Sequence, residues 1–458
     1  MRNFDAIVIG SGQAGPSLTA RLTGAGMSVA FIERAHFGGT CVNDGCIPTK
    51  TLVASAQAAR MARRAGEYGV RITGSIDVDM KAVKARKDAI SESSRSGVEK
   101  WLRGMQGCTV FWGNARFAGT KQVAVNGEEL SAEKIFINVG GRPSVPPIPG
   151  LDQVPYLTNT TMMGVDFLPE HLVILGGSYI GLEFAQMYRR FGSAVSVIEA
   201  LPRLVAREDE DISAEIAKIL EQEGIAIKLG AKALSVARKG NGIAVEIETS
   251  NGRAQVEGSH LLVAIGRRPN TDNFGLDKAG IKLDARGYIE VDDQLRTSAP
   301  GVWALGDCNG RGAFTHTSYN DYEIVAANLL DNDPRRVSDR ITAYALYIDP
   351  PLGRAGLSQA EARATKRPTL VANWQMGRVG RAVERGETEG FMRILVDRDS
   401  KQIVGASLLG LNADEVIHEI LDLMYAKAPY TTLQRAMHIH PTVSEYLPTM
   451  LGALTPLE

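Results

Sequence analysis

Only four cysteines occur in the 458 residues, Cys41, Cys46, Cys108 and Cys308, too few for the disulfide framework of a small secreted domain. So cysteine-poor a chain fits a reducing cytoplasm, which is the expected location. Long apolar runs are missing too. Nothing approaches the ~20 residues of a membrane span, and the run Ala6-Ile7-Val8-Ile9 is short and ends in glycine, so it reads as a buried strand and not as a signal peptide. Neither sign of charge dominates, with 51 basic against 52 acidic residues. The lack of a basic stripe argues against a nucleic-acid partner. What the chain does have is length, enough for two or three domains.

Two of the cysteines fall in one stretch, Gly38-Gly39-Thr40-Cys41-Val42-Asn43-Asp44-Gly45-Cys46-Ile47-Pro48-Thr49-Lys50, a glycine-rich turn leading into an alanine-rich helix. In a regular helix residues five apart lie roughly 8.6 Å apart at Cα, from its rise and radius. A disulfide needs Cα atoms within about 7 Å. Cys41 and Cys46 therefore pair only if the first turn is distorted. Gly45 supplies the backbone freedom, and Pro48 is tolerated where a helix is starting. A thiol near that N-terminus feels the positive end of the helix, which favours the thiolate. Cys108 and Cys308 read as small packing residues.

Phe4 to Gly10 forms a mostly apolar strand of the kind buried in a parallel sheet. It runs into Gly10-Ser11-Gly12-Gln13-Ala14-Gly15, an amphipathic helix to about Ala25, and a second strand, Ser28 to Ile32, ending at Glu33. Such a loop lets a pyrophosphate sit against bare N–H groups at a helix N-terminus, while the acid takes a ribose hydroxyl. The pattern recurs. His171 to Gly176 opens another strand, followed by Gly176-Gly177-Ser178-Tyr179-Ile180-Gly181, a helix, and a strand from Ala194 to Ile198 ending at Glu199. From first glycine to acid the count is 23 in both copies, Gly10 to Glu33 and Gly176 to Glu199. Two βαβ units at matched spacing predict two dinucleotides. Ser178 replaces the middle glycine of the second copy, a departure expected to loosen the pyrophosphate contact. Glu199 favours a free 2′-hydroxyl over a 2′-phosphate and so NADH over NADPH; Arg203 and Arg207, a few residues on, partly offset it.

Residues 60–100 read as helices rich in Arg, Lys and Ala, solvated on one face. Residues 108–139 alternate and turn, as in Thr109-Val110-Phe111-Trp112-Gly113-Asn114, which predicts a small antiparallel element. Pro146-Pro147-Ile148-Pro149-Gly150 marks a domain boundary. From about Asp339 the pattern becomes strands with a long helix near Asp414–Tyr425, then Met437-His438-Ile439-His440-Pro441-Thr442-Val443-Ser444-Glu445.

The cysteine stretch resembles the active-site signature of the FAD-dependent pyridine nucleotide–disulfide oxidoreductases, the family of lipoamide dehydrogenase, glutathione reductase and mercuric reductase. The resemblance extends over essentially the whole chain. It implies an α/β fold of two Rossmann-like dinucleotide-binding domains, for FAD and NAD, plus a C-terminal α+β dimerisation domain. The implied boundaries are 1–145 and 266–338 for a discontinuous FAD domain, 146–265 for the NAD domain and 339–458 for the interface domain. Gly10, Gly12, Gly15 and Glu33 would hold FAD, with Asp307 of Val302-Trp303-Ala304-Leu305-Gly306-Asp307 on its ribitol chain. Gly176, Gly181 and Glu199 would hold the nicotinamide cofactor, with Tyr179 covering the flavin until nicotinamide enters.

The same resemblance implies a path from NADH through FAD to a Cys41–Cys46 disulfide. Cys46 is then the inner thiolate and Cys41 the outer interchange thiol. Lys50 and Glu183 match an ion pair near the flavin, holding positive charge where reduced flavin develops negative charge. His-Pro-Thr-x-x-Glu matches the acid–base motif. His440 supplies a carrier titrating near neutrality, and Glu445 on the other ring nitrogen fixes the tautomer; His438 has no such context. The family makes a homodimer in which this histidine serves the other subunit. Asp44 stands where a small apolar residue is usual and puts a charge beside the pair. Gly39–Ala56 and Ala313–Leu330 look closest to the mercuric-reductase-like and reactive-chlorine-resistance branch. True mercuric reductases carry a C-terminal cysteine pair, whereas no cysteine follows Cys308. A small disulfide or dithiol is therefore the expected substrate, and no dedicated metal site is expected. The alternatives are a reductase of Hg(II) or Cu(II) using the Cys41/Cys46 dithiolate as a soft-metal site, and a non-catalytic FAD redox sensor.

Overall fold

A computed structural model describes residues 1–458. The chain opens with β1 (Arg2–Ile9), α1 (Ala14–Gly24), β2 (Val29–Glu33), α2 (Gly39–Asn43), α3 (Cys46–Arg64), α4 (Met80–Gly104), β3 (Cys108–Trp112), β4 (Arg116–Gly119), β5 (Gln122–Val125) and β6 (Glu128–Ile137). β1 alternates between two cores, as a strand buried on both faces must. Ala6 and Val8 pack with Leu18 and Leu22 of α1, and Ile7 and Ile9 pack with Phe117, Val123 and Val125 of β4 and β5.

The strand Cys108–Trp112 corrects the antiparallel expectation for 108–139. It pairs parallel with β2, Cys108 opposite Val29, and only β4, β5 and the start of β6 are antiparallel. The region 60–100 is helical as expected, in two pieces: α3 ends at Arg64 and α4 starts at Met80, where Asp79 caps it by accepting from Lys81 and Ala82 N–H.

After β7 (Gly141–Pro143) and α5 (Asn159–Met162) the second unit follows: β8 (His171–Leu175), α6 (Tyr179–Phe191), β9 (Ala194–Ile198), α7 (Glu210–Gln222), β10 (Ala226–Lys228), an antiparallel three-stranded layer of β11 (Lys232–Lys239), β12 (Gly242–Thr249) and β13 (Gly252–Gly258), and β14 (His260–Val263). The strands β10-β9-β8-β14 are parallel in that order. The chain then returns through β15 (Arg267–Pro269), antiparallel to β7, to β16 (Val302–Ala304), which pairs parallel with β6 and extends the first sheet; α8 (Thr315–Ala326) closes its helical face.

The remainder is an antiparallel sheet in which β17 (Ala343–Leu346) and β18 (Leu352–Gly356) precede α9 (Gln359–Ala364), β19 (Thr369–Gln375), α10 (Gly380–Glu384), β20 (Phe391–Asp397) and β21 (Ile403–Leu409). α11 (Ala413–Tyr425) lays Val416, Ile417 and Ile420 on the sheet, against Ile394 and Leu408. No helix is long and apolar enough to cross a membrane.

Candidate active site

Both glycine loops leave the carboxyl ends of parallel strands, where open α/β sheets bind ligands. Gly10 has φ +103°, and a Cβ there would overlap the Asn138 carbonyl; one on Gly15 would overlap the Gly10 carbonyl. Gly12 faces the Asn138 side chain, where a Cβ would lie 2.8 Å from Oδ1. Asn138, buried at the end of β6, accepts from Gly15 N–H (3.2 Å) and donates to the Leu305 carbonyl (2.9 Å). It locks the loop to the strand that leads to Asp307.

Glu33 is saturated. One carboxylate oxygen accepts from Ser11 N–H (2.9 Å) and Ser11 Oγ (2.6 Å), the other from Arg34 N–H (2.7 Å) and Ala35 N–H (2.8 Å), filling the roughly four acceptor positions of a carboxylate. A ribose hydroxyl reaches it only by displacing a donor, and the Ser11 hydroxyl is the one free to rotate. Glu199 accepts only from Gly177 N–H (2.6 Å) and Leu201 N–H (2.8 Å), so it retains room for a hydroxyl donor. Gly176 has φ +111°, and a Cβ on Gly181 would overlap the Gly176 carbonyl. Ser178 sits at φ −112°, ψ −171°, ordinary extended backbone, so serine costs no strain there. Of the two arginines, Arg207 lies on the wall of the cleft described next, while Arg203 turns to the Ala206 carbonyl (3.1 Å).

One cleft of about 2340 Å³ has both glycine loops, Cys41, Cys46, Lys50, Glu183, Tyr179, Asp307 and Glu199 on its wall. That exceeds the roughly 300–1,000 Å³ of a typical small-molecule site more than twofold. The distortion expected between the cysteines is a complete break. Cys41 lies in α2, Cys46 opens α3, and Gly45 between them takes φ −127°, ψ −120°; a Cβ there would press on the Thr40 carbonyl at 2.8 Å. No covalent bond joins the two sulfurs. The Cys41 thiol donates to Cys46, and this bond is the largest influence in holding Cys46 down, at about 6 against an ordinary 9.0; Thr315 and the Lys50 ammonium act the same way, against burial. Cys41 is pushed far above the ordinary thiol range by the same hydrogen bond and by burial. Thr315 Oγ1 lies 2.9 Å from Cys46 Sγ.

Lys50 Nζ reaches both oxygens of the nearly buried Glu183 (2.9 and 2.7 Å) and lies 4.5 Å from the Tyr347 ring centroid. Asp307 faces Arg267 Nε at 3.4 Å, and Arg267 also donates to Thr40 Oγ1 (3.2 Å) and the Gly141 carbonyl (2.6 Å), tying the return strand to the cysteine loop. Burial raises the Asp307 carboxyl above its usual range, against the Arg267 charge. Asp44 turns away from the sulfurs: its carboxylate accepts from Thr160 Oγ1 and its carbonyl from Asn159 Nδ2 (2.9 Å), clamping the loop to α5.

His440 Nδ1 bonds Glu445 Oε2 at 2.9 Å, and the imidazole is 79% exposed. Neither residue lies on the cleft wall of its own chain. His438 instead faces Glu419 at 3.5 Å. Cys308 is fully buried and Cys108 partly so. No group of three His, Cys, Asp or Glu side chains is arranged to hold a metal ion.

The model of the pyridine nucleotide-disulphide oxidoreductases matches residues 4–321, and that of their dimerisation domain matches residues 342–451. The chain belongs to this family. Among relatives of this oxidoreductase, the probable pyridine nucleotide-disulfide oxidoreductase RclA of Escherichia coli is 36% identical over 98% of both chains. A dihydrolipoyl dehydrogenase of Chlamydia muridarum is 34% identical over 96% of this chain and 95% of its own. A mercuric reductase of Streptomyces lividans is also 34% identical, over 97% and 94%. A solved structure of RclA, described as an HOCl-induced flavoprotein disulfide reductase, superposes with TM-score 0.89 at 36% identity, covering 98% of this chain and 99% of that one.

Membership implies FAD and a pyridine nucleotide. The residues present fit both groups: each loop has glycine where a Cβ would collide, and a carboxylate stands at the end of the following strand. Asn138, Arg267 and Thr315 escape the sequence reading. Each is a single residue of a common type that reaches a distant partner, 123 positions from Asn138 to Gly15, 227 from Arg267 to Thr40 and 269 from Thr315 to Cys46.

Proposed function

We propose that this chain is an NAD(P)H-dependent disulfide reductase that passes electrons from NADH, through FAD, to the Cys41–Cys46 pair and on to a small disulfide. The observation that carries this reading is the unequal sulfur pair beside the Lys50–Glu183 ion pair, on the wall shared by both glycine loops.

FAD supplies, when bound, the relay between a hydride donor and a sulfur pair. Gly10, Gly12, Gly15, Glu33 and Asp307 hold it; Gly176, Gly181 and Glu199 hold the nicotinamide cofactor, and Tyr179 screens the space between. Cys46 is kept as thiolate by the Cys41 hydrogen bond, Thr315 and Lys50. Cys41 is kept protonated and needs a base before it attacks. His440, oriented by Glu445, takes that proton. Its exposure and its absence from its own cleft are what a base serving a second copy requires, and the dimerisation-domain match agrees with a homodimer. Cys41 then bonds one substrate sulfur, and the other leaves as a thiolate that His440 protonates. Cys46 attacks Cys41, restoring the internal disulfide and releasing the second sulfur as a thiolate that takes its proton from solvent, two electrons having moved.

One observation favours a second reading, reduction of a soft metal ion. Structures of RclA include a Cu(II) complex, and another relative is named a mercuric reductase; Cys41 and Cys46 offer two soft donors here. Anaerobic reduction with NADH followed by lipoamide, glutathione disulfide, Hg(II) and Cu(II) in turn separates the readings by which acceptor reoxidises the protein. If none does so faster than oxygen, both reductase readings fail and a sensor role gains. A higher kcat/KM for NADPH than for NADH would overturn the cofactor preference assigned to Glu199.

A further inference from the structure

Tyr179, the first residue of α6, is held by more than packing. Its ring meets Phe314 and Tyr344 edge-on, with centroids 6.0 and 5.5 Å away at 84° and 88°. Phe314 in turn stacks on Tyr344 at 5.3 Å and 17°. The Tyr179 hydroxyl donates to Oε1 of Glu208 at 3.3 Å, and the Tyr344 hydroxyl donates to the same oxygen at 2.5 Å. Glu208 is 2% exposed. Its other oxygen has no hydrogen bond and faces Nε of the equally buried Arg354 at 3.4 Å. Arg354 is itself fixed in the C-terminal sheet by the carbonyls of Leu357 (2.7 Å), Ala406 (3.1 Å) and Ala355 (3.2 Å).

The two bonds to Glu208 differ in length, and length orders them in strength. Tyr344 and Arg354 hold the carboxylate in place, whereas Tyr179 is attached by the long bond. Swinging the Tyr179 ring away breaks that one bond and leaves Glu208 still paired, so no buried charge is stranded by the motion. We infer that Glu208 is a positioning residue for the nicotinamide site, a catch anchored by Tyr344 that holds the Tyr179 ring across the cleft and sets how easily nicotinamide displaces it. This rests on the reading of Tyr179 as the residue that nicotinamide must move.

The inference is tested on the oxidised, FAD-loaded protein by calorimetric titration with NAD⁺, which binds without turnover, with the melting temperature of each variant recorded alongside. Tyr179→Phe removes the catch and keeps the ring; NAD⁺ should bind several-fold more tightly. Tyr344→Phe frees the Glu208 oxygen for a shorter bond from Tyr179; NAD⁺ should bind about tenfold more weakly, the worth of one hydrogen bond to a charged group at its lower end. Opposite shifts from two variants that each lose one oxygen are not what a merely structural role produces. Tyr179→Ala, which removes the ring, separates the two layers of the argument. If it tightens NAD⁺ binding while both phenylalanine variants match the wild type, Tyr179 gates and the catch is wrong. If it too leaves NAD⁺ affinity unchanged, Tyr179 is no gate and the inference falls with that reading.

Discussion

Replacing Thr315 with valine takes one hydroxyl from beside Cys46 and leaves the shape of the side chain almost unchanged. The bond it removes, 2.9 Å from oxygen to sulfur, is made to a thiolate. Hydrogen bonds to charged partners contribute about 1.5–3 kcal/mol, and one pKa unit corresponds to about 1.4 kcal/mol. Sulfur is a weak acceptor, so the lower end applies and the Cys46 thiol should rise by about one unit. The larger contribution, the Cys41 hydrogen bond, is untouched, as is the Lys50 charge. The thiol therefore stays below its ordinary 9.0. The assay is a pH titration, under anaerobic conditions, of thiolate absorbance in the two-electron-reduced protein, or of its long-wavelength thiolate-to-flavin band. An unchanged midpoint in Thr315→Val would show that α8 contributes nothing to the sulfur chemistry. A midpoint at the ordinary thiol value would show that the Cys41 bond is not what holds Cys46 down.

Other expectations follow from the same geometry. Cys46 has its folded value lowered to about 6 from 9.0, so the stability it contributes to the dithiol form is complete above about pH 9 and lost as pH falls through about 6. The melting-temperature advantage of the reduced wild type over reduced Cys46→Ser should accordingly widen between those limits, and a constant gap would contradict the shift. Gly15→Ala places a Cβ on the Gly10 carbonyl, an overpacking worth about 1–3 kcal/mol, and should yield protein depleted of yellow flavin after gentle purification. His440→Ala should slow disulfide turnover by about 10²–10⁴-fold, the usual contribution of a positioned acid–base group, while reduction of the protein by NADH keeps its rate. Wild-type turnover in this variant would remove the role given to His440.

What was legible in the sequence is what short-range geometry dictates. The glycines of both loops are forced by carbonyls only a few residues or one strand away, so their spacing announces them; Glu33 and Glu199 follow at the end of the next strand for the same reason. Lys50 and Glu183, 133 residues apart, are paired by the family resemblance alone, each standing at a set distance from a matching motif. The partner of the strand Cys108–Trp112 was not legible. Alternation shows which side chains face a core, but nothing in Thr109-Val110-Phe111-Trp112 says that its neighbour is Val29–Glu33 rather than Arg116–Gly119. Asp44 announced a charge beside the cysteines, yet its direction depends on Thr160, on another unit. Glu208 gave no sign at all: one acid among four acidic residues from Glu208 to Asp211 reads as a solvated helix start, and only the fold buries it beneath Tyr179 and Tyr344.

The most direct measurement is the redox state of the two sulfurs before and after NADH, read by alkylation at acid quench and mass spectrometry of the peptide holding Cys41 and Cys46. An internal disulfide in the resting protein, opened to two alkylated thiols by one equivalent of NADH without oxygen, is the predicted result. NADH oxidised while Cys41 and Cys46 keep their starting state would contradict it.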